Sequence, residues 1–357
     1  MGELKLMKGN EALAEAAIRC GADAYYGYPI TPQSEVMEYL MLANPIKTTG
    51  MVVLQAESEV ASINMVYGAA ASGKMAMTSS SSPGVSLMQE GISYMAGSEV
   101  PGVVVNVVRG GPGLGAIQPA QSDYFQATKG GGHGDYHLIV LAPSSVQEMA
   151  DYMKLAFELA FKYRNPAMIL SDGLIGQMME KVELFDPIPR RTDEQVYEQC
   201  PWAASGRRNG KKRIVKSLNL VASDEEEHNR HIQAKYREIE KNEIRYEALN
   251  CEDADYVIVA YGSSARTSMK AMDMARKEGI KVGIFRPITL WPFPSQQIAD
   301  LAQKAKGFLS VEMSAGQMVE DVRLAVNGKV PVAHYGRMGG VIATPQEIFD
   351  QIKAMAK

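Results

Sequence analysis

Two carboxylates two residues apart, Glu57 and Glu59 in the run AESEV, lie where a strand at 51–55 hands over to a helix. Carboxyl groups there can hold or move a proton at a ligand seated on the strand ends. At this spacing they cannot share one helix face, so one is expected to face a ligand and the other solvent or a partner chain. The plainer role, favouring the positive end of the helix, suffices for Glu57. Arg109 ends the apolar run GVVVNVVR and opens the loop GGPGLG. A guanidinium at that position reaches a carboxylate with two parallel hydrogen bonds, although a lone strand-end arginine is more often only a surface charge. Thr31 lies in YYGYPITPQSE at 25–35, between Pro29 and Pro32. Both prolines restrict the backbone, so its hydroxyl is held at the carboxyl end of a strand, where ligands bind in open α/β sheets. The segment SSSSPG, Ser79 to Gly84, brings Ser81 and Ser82 to a helix start that suits an anionic group and equally suits a plain cap.

These residues need a scaffold that gathers strand ends. Residues 9–20 carry helical apolar spacing, with Asn10 as the expected N-cap and Gly21 as the stop. Strands are expected at 51–55, 75–79, 102–109, 138–143 and AMILS, alternating with amphipathic helices. Continuous apolar strands alternating with helices imply a mostly parallel sheet covered on both faces. From Pro187 to about Glu252 prolines and charges dominate, with Ser223 and Glu226 as an expected capping box for a helix bearing Ile232, Tyr236, Ile239 and Tyr246 on one side. A connector this long is expected to be ordered against something, such as a partner chain. A second α/β unit begins at Asp255, with Ser263, Pro294, Ser314 and Thr344 near its helix starts; no GxGxxG follows its first strand, which argues against a nicotinamide site.

Length and composition narrow the function classes. The 357 residues suffice for two cores, and 46% hydrophobic with 22% charged residues is ordinary for a soluble protein. A net charge of −4 leaves no nucleic-acid footprint; the basic run RRNGKKR at 207–213 reads as a solvated loop, or as a docking spot for an acidic electron carrier. Cys20, Cys200 and Cys251 are far apart with no CxxC, offering no iron–sulfur or zinc ligand set. The 22 methionines read as core and interface filler. The N-terminal MGELKLMKGN lacks a signal-peptide core, Leu6 breaks a myristoylation pattern, and no apolar run reaches the roughly 20 residues that span a bilayer; the expected location is cytoplasmic, with no membrane contact.

Together, YPITP, AESEVASINMVYGAA at 56–70, TSSSSPGVSLMQEGISYMAG at 78–97 and RGGPGLGAIQPAQSDY at 109–124 resemble the alpha-type, pyrimidine-binding subunits of the 2-oxoacid:ferredoxin oxidoreductases, over nearly the whole chain. The resemblance implies an α/β fold: a pyrimidine-type thiamine diphosphate-binding parallel-sheet domain at 1–186, a linker with a charged helix at 187–252, and a transketolase C-terminal-like domain at 253–357. It implies that Glu59 addresses the aminopyrimidine ring, favouring the tautomer that takes the thiazolium C2 proton. Tyr28, Pro29 and Ile30 would bind the same cofactor, and Thr31 with Arg109 the substrate carboxylate, Ser81 and Ser82 being pocket candidates. His133, in KGGGHGDYH, could touch substrate or coenzyme A, although an ordinary loop histidine is the safer reading. The GDG that holds diphosphate and magnesium in thiamine enzymes is missing; SDG at 171–173 and HGD at 133–135 do not fit. The resemblance therefore implies half a site, completed by a beta-type subunit carrying magnesium and an iron–sulfur cluster, with gamma-type and ferredoxin-like subunits and ferredoxin as further partners. The implied reaction is coenzyme A-dependent oxidative decarboxylation of a 2-oxoacid. The stretches following Arg109 and NPAMILSDGLIGQMME look most like the branched-chain, 2-oxoisovalerate type, with 2-oxoglutarate as alternative. Rival readings are a ferredoxin-independent thiamine decarboxylase or transketolase half, against which YPITP argues, and a non-catalytic assembly subunit, against which Thr31, Glu59 and Arg109 together argue.

Overall fold

The computed structural model describes residues 3–206 and 212–357. Strand β1 (Glu3–Lys8) leads into α1 (Gly9–Arg19). Then follow β2 (Ala24–Gly27), α2 (Ser34–Ala43), β3 (Val52–Gln55), α3 (Glu59–Ala71), β4 (Ala76–Ser80), α4 (Ser82–Gly97) and β5 (Val103–Val108). A short α5 (Tyr124–Thr128) precedes β6 (Ile139–Leu141), α6 (Val146–Tyr163), β7 (Ala167–Asp172) and α7 (Gly173–Gln177). Strand β8 (Met179–Leu184) returns antiparallel to β1. The connector holds α8 (Asp193–Gln199), α9 (Ala222–Asn242) and β9 (Tyr246–Leu249). The second unit comprises β10 (Tyr256–Val259), α10 (Gly262–Lys277), β11 (Val282–Pro287), β12 (Thr289–Trp291) and α11 (Ser295–Leu301). It ends with β13 (Gly307–Glu312), α12 (Met318–Val326), β14 (Val332–Gly336) and α13 (Pro345–Met355).

The first sheet has seven strands in the order β12-β6-β7-β5-β4-β2-β3, all parallel except β12. Its middle strands β4, β5 and β7 are buried along their whole length, as runs such as VVVNVV require. Each buried valine contributes about 1.5–3 kcal/mol. That run therefore tolerates one polar residue, Asn106, whose amide donates to Asp123 Oδ2 at 2.9 Å. The second sheet runs β14-β13-β10-β11-β9, parallel except for β9. No helix among the described residues is long and apolar enough to cross a membrane.

The two sheets are seated on each other by side chains that are costly to strand. Arg286 of β11, fully buried, donates to Glu148 on α6 at 2.9 and 2.6 Å and to Glu247 on β9 at 2.9 Å. Removing Glu148 takes away both bonds of the buried Arg286–Glu148 pair, at about 3–5 kcal/mol, whereas the half-exposed Glu247 adds little. Gln121 reaches Tyr261 O, Ser264 Oγ and Met313 N in the second unit.

Three local expectations are not met. Asn10 is not the cap of α1: the N-cap position is Lys8, whose N–H donates to Glu11 at 3.0 Å, and Asn10 is buried inside the helix. Ser223 and Glu226 form no capping box; the N-cap of α9 is Val221, two residues before Ser223, and Glu226 pairs with Arg230 one turn on. Ile232, Tyr236 and Ile239 are buried on α9 as the pattern requires, but Tyr246 lies on β9.

Candidate active site

The chain places β3 on one side of β2 and then crosses to β4 on the other, so the strand order reverses between β2 and β4. At such a reversal the connections after the two strands leave in opposite directions and open a crevice at their carboxyl ends. Glu59 begins α3 there, behind the extended N-cap Ser58, whose hydroxyl accepts from Ala61 N at 3.2 Å. Glu59 is 7% exposed, whereas Glu57 is exposed. Glu59 has no hydrogen bond or ion pair among the described residues. Its oxygens are not among the buried atoms that lack a partner, so the carboxylate stands at an opening where a donor from outside the chain can reach it.

Gly84, in the first turn of α4, makes room for it. A Cβ there would come within 2.6 Å of Glu59 Oε1 and 2.1 Å of Ser80 Oγ, which puts both oxygens beside one α-carbon. The hydroxyls of Ser80 and Ser81 are fully buried and have no partner, and Ser81 holds the N-cap position of α4 without using its side chain as the cap.

Arg109, 6% exposed, donates from Nη1 to Thr31 O at 2.9 Å and from Nη2 to Leu114 O at 2.8 Å; its buried Nε has no partner. Part of the fork expected for a carboxylate is thus spent on carbonyls, leaving the Nε–H and one hydrogen on each terminal nitrogen. Ser82 Oγ accepts from Arg109 N at 3.1 Å. Thr31 and Arg109 are therefore in contact, with Ser82 behind Arg109 and Ser81 on the same helix start as Gly84. Thr31 is exposed and its hydroxyl has no partner among the described residues. Tyr28 and Ile30 are half-buried and Pro29 is exposed.

Sequence reasoning missed the groups that hold this turn. Gln33, fully buried, donates to Tyr28 O at 3.2 Å and accepts from Ser79 Oγ at 2.6 Å. Tyr25 OH lies 2.9 Å from Ser79 Oγ, and burial pushes its phenol up, so it stays protonated and donates. The position of Gln33, two residues after Thr31 in YPITPQSE, was the available signal. Asp123 was also missed. It lines a cavity of about 440 Å³ between the two units, with Ser82, Gly111, Ser122, Met313 and Met338. Burial raises its carboxyl above the ordinary range, opposed by hydrogen bonds from Ser82 and Asn106.

The remaining candidates lie elsewhere. His133 is exposed. Asp172 of SDG is buried and occupied: Oδ1 accepts from Leu174 N, Ile175 N and Ser263 Oγ, and Oδ2 from Ser263 N. No cluster of three or more His, Cys, Asp or Glu that could hold a metal is present among the described residues. Residues 207–211 of the basic run lie outside the described residues; Arg213 donates to Tyr197 O and Cys200 O.

Residues 15–247 match the family model described as pyruvate flavodoxin/ferredoxin oxidoreductase, thiamine diphosphate-binding, and residues 254–348 match pyruvate:ferredoxin oxidoreductase core domain II. The chain is 50% identical to the ketoisovalerate oxidoreductase subunit VorB of Methanothermobacter marburgensis, over 99% of this chain and 98% of that one. It is 35% identical to the 2-oxoglutarate synthase subunit KorA of Methanothermobacter thermautotrophicus, over 99% and 100%. Among solved structures, the 2-oxoglutarate:ferredoxin oxidoreductase from Magnetococcus marinus, with 2-oxoglutarate, coenzyme A and succinyl-CoA bound, superposes with a TM-score of 0.88 at 31% identity, covering 100% of this chain and 66% of that chain. A split-gene transketolase matches in fold, with a TM-score of 0.61 at 14% identity and 98% of each chain covered.

Proposed function

The chain belongs to the 2-oxoacid:ferredoxin oxidoreductase family, and on that premise we propose that it supplies the thiamine-facing carboxylate and the 2-oxoacid-binding edge of a multi-subunit enzyme. The reaction joins 2-oxoisovalerate and coenzyme A to give the branched acyl-CoA and carbon dioxide, passing two electrons to ferredoxin. The observation that carries this reading is the buried, unpartnered Glu59 at the same sheet edge as the Thr31–Arg109 contact. The residues present fit thiamine diphosphate: an unsatisfied carboxylate, two orphaned buried hydroxyls on Ser80 and Ser81, and the space kept by Gly84.

When bound, the cofactor supplies the carbon nucleophile and electron sink that no side chain provides. With the cofactor bound, Glu59 would hold the proton at the ring nitrogen of its aminopyrimidine, and Tyr28, Pro29 and Ile30 would be the residues that bind that ring. The Thr31 hydroxyl and the uncommitted donors of Arg109 hold the 2-oxoacid carboxylate, so that its departure as carbon dioxide occurs in a fixed orientation. Ser81 and Ser82 border the same pocket.

Diphosphate, magnesium and the iron–sulfur cluster are assigned in this proposal to a beta-type partner, with gamma-type and ferredoxin-like subunits completing the path to ferredoxin. The state of this chain's thiols supports that division. Cys20, Cys200 and Cys251 are buried and unpaired, and burial pushes Cys20 up to about 12 and Cys251 up to about 11, so neither of those two offers a thiolate. Free thiols also suit the reducing cytoplasm, which is part of the same proposal. The higher identity to the ketoisovalerate relative than to the 2-oxoglutarate one supports the branched substrate.

The test is anaerobic purification of the tagged chain from its own source, followed by coenzyme A-dependent dye reduction with each acid. Reduction with 2-oxoisovalerate, in a preparation containing an iron–sulfur partner, is expected. Reduction with 2-oxoglutarate alone would keep the family and replace the substrate, and a chain that came away alone and inactive would sink the half-site reading.

A further inference from the structure

The turn that carries Thr31 is gripped at one carbonyl by side chains of two helices, which a carboxylate on a third helix aligns. Pro32 O accepts from Asn10 Nδ2 of α1 at 2.8 Å and from Gln177 Nε2 of α7 at 3.0 Å. Both amides also bind Glu35 of α2, Asn10 at 3.1 Å to Oε2 and Gln177 at 2.7 Å to Oε1. Lys8 Nζ lies 3.6 Å from the same carboxylate. One residue before Pro32, the Thr31 carbonyl takes the bond from Arg109. Room for the grip is reserved at Gly176, where a Cβ would come within 2.7 Å of Asn10 Oδ1.

The chemistry of Glu35 fixes the direction of both amides. A charged carboxylate only accepts, so each carboxamide must turn its NH₂ toward Glu35, and the same NH₂ then faces Pro32 O. Partial burial works against that charge, but the bonds from Gln177 and Asn10 and the nearby Lys8 outweigh it and hold the carboxyl below the ordinary range. Nor is the grip sealed inside the core. Gln177, Glu35, Pro32 and Thr31 line one groove of about 510 Å³, so the clamp stands at an opening beside the proposed carboxylate site.

We infer that Asn10 and Gln177 are positioning residues, a carboxamide clamp aligned by Glu35 that presses the Thr31 turn onto Arg109 so that hydroxyl and guanidinium meet a 2-oxoacid carboxylate together. The inference rests on the roles proposed above for Thr31 and Arg109. A turn freed by even a fraction of an ångström presents the two donors out of register, and misplacement of about 1 Å can cost about a hundredfold.

The test compares Gln177→Leu, Gln177→Asn, Thr31→Ala and Arg109→Ala in the assembled complex, with 2-oxoisovalerate as the varied substrate. Gln177→Leu is expected to raise KM about tenfold with kcat within about twofold, because it removes ground-state and transition-state binding alike. Gln177→Asn, which keeps a carboxamide on a shorter arm, is expected to recover part of the loss. Should Gln177→Leu fail to assemble, Glu35→Gln gives the same readout, since it leaves both amides present but removes the charge that aligns them. A raised KM in Thr31→Ala and Arg109→Ala with an unchanged KM in Gln177→Leu overturns the clamp alone. An unchanged KM in all of them overturns the carboxylate site and the clamp with it. A fall in kcat and thermal midpoint at constant KM reduces the clamp to ordinary fold support and overturns it as a positioning device.

Discussion

Two buried glutamates sit at strand-to-helix handovers of the two units, and their surroundings are opposite. Glu312, at the end of β13, accepts from Ser310 Oγ, Ser314 Oγ, Gln317 N, Met318 N and Val319 N, all at 2.9–3.0 Å. Glu59, at the start of α3, accepts from nothing among the described residues. The first carboxylate is consumed by its own helix N-terminus, which needs acceptors for its free N–H groups. The second is left for a donor from outside the chain. Burial alone therefore does not mark a functional acid; burial with its hydrogen-bonding capacity unspent does.

The largest expected effect breaks this comparison at its functional end. Glu59→Gln in the assembled complex should lower turnover by about 10²–10⁴-fold, the usual contribution of a positioned acid or base, while assembly and thermal midpoint stay close to wild type. Glu312→Ala should do the reverse. It strands two hydroxyls and three helix N–H groups, so stability should fall by about 3 kcal/mol or more with turnover per folded molecule retained. If Glu59→Gln unfolds the chain as Glu312→Ala does, the distinction between spent and unspent carboxylates is wrong.

Gly84→Ala sharpens the same contrast at smaller cost. The added methyl must displace Ser80 Oγ or the Glu59 carboxylate, since it would sit 2.1 and 2.6 Å from them. Overpacking of this kind costs about 1–3 kcal/mol. In the assembled complex it should appear as roughly tenfold weaker thiamine diphosphate loading, measured by titration of the cofactor-stripped complex. Unchanged affinity would show that the space beside Gly84 is not part of the cofactor pocket.

How much of this was legible before the fold depends on the range of the contact. The central strands could be read because runs such as VVVNVV and AMILS need no partner to be recognised as buried on both faces. The paired spacing of Glu57 and Glu59 requires that the two diverge without saying which turns inward; the family resemblance points to Glu59, and in the structure Glu59 is buried and Glu57 exposed. Asn10 was misread as a cap because capping rules look a few residues ahead, and its amide is engaged 22 residues away at Pro32. The Ser223–Glu226 pattern fails for a local reason instead: α9 already begins at Ala222, and Glu226 pairs with Arg230 one turn on. Strand β12 is three residues long and joins the sheet of the other unit, antiparallel to β6. A segment that short carries no periodicity, and its pairing is decided by how the two units dock.

His137 is a half-buried titratable group with part of its hydrogen-bonding capacity used, intermediate in that respect between the two glutamates, and it gives the smallest expected effect. Its ring stacks on Trp291 at 4.6 Å and meets Tyr236 edge-on at 5.5 Å, joining the loop before β6 to α9 and β12. Nδ1 lies 3.2 Å from Thr128 O, which can only accept, so the neutral ring carries its proton there. Burial lowers its pKa below the ordinary value, opposed by the Thr128 bond and by Glu240 and Asp135, while Lys129 adds to the lowering. The unfolded chain takes up the proton near pH 6.5, before the folded chain does. The unfolded state therefore binds more protons in that window, and stability, complete above about pH 6.5, declines as pH falls toward the depressed folded value. His137→Phe keeps the stacking surface and removes the titration. The wild-type thermal midpoint should consequently drop more steeply than the variant's between pH 7.5 and pH 6, a range in which ordinary carboxylates stay charged. Parallel slopes would mean that the ring reaches water when charged, and that the aromatic seam between the units opens far more readily than its packing implies.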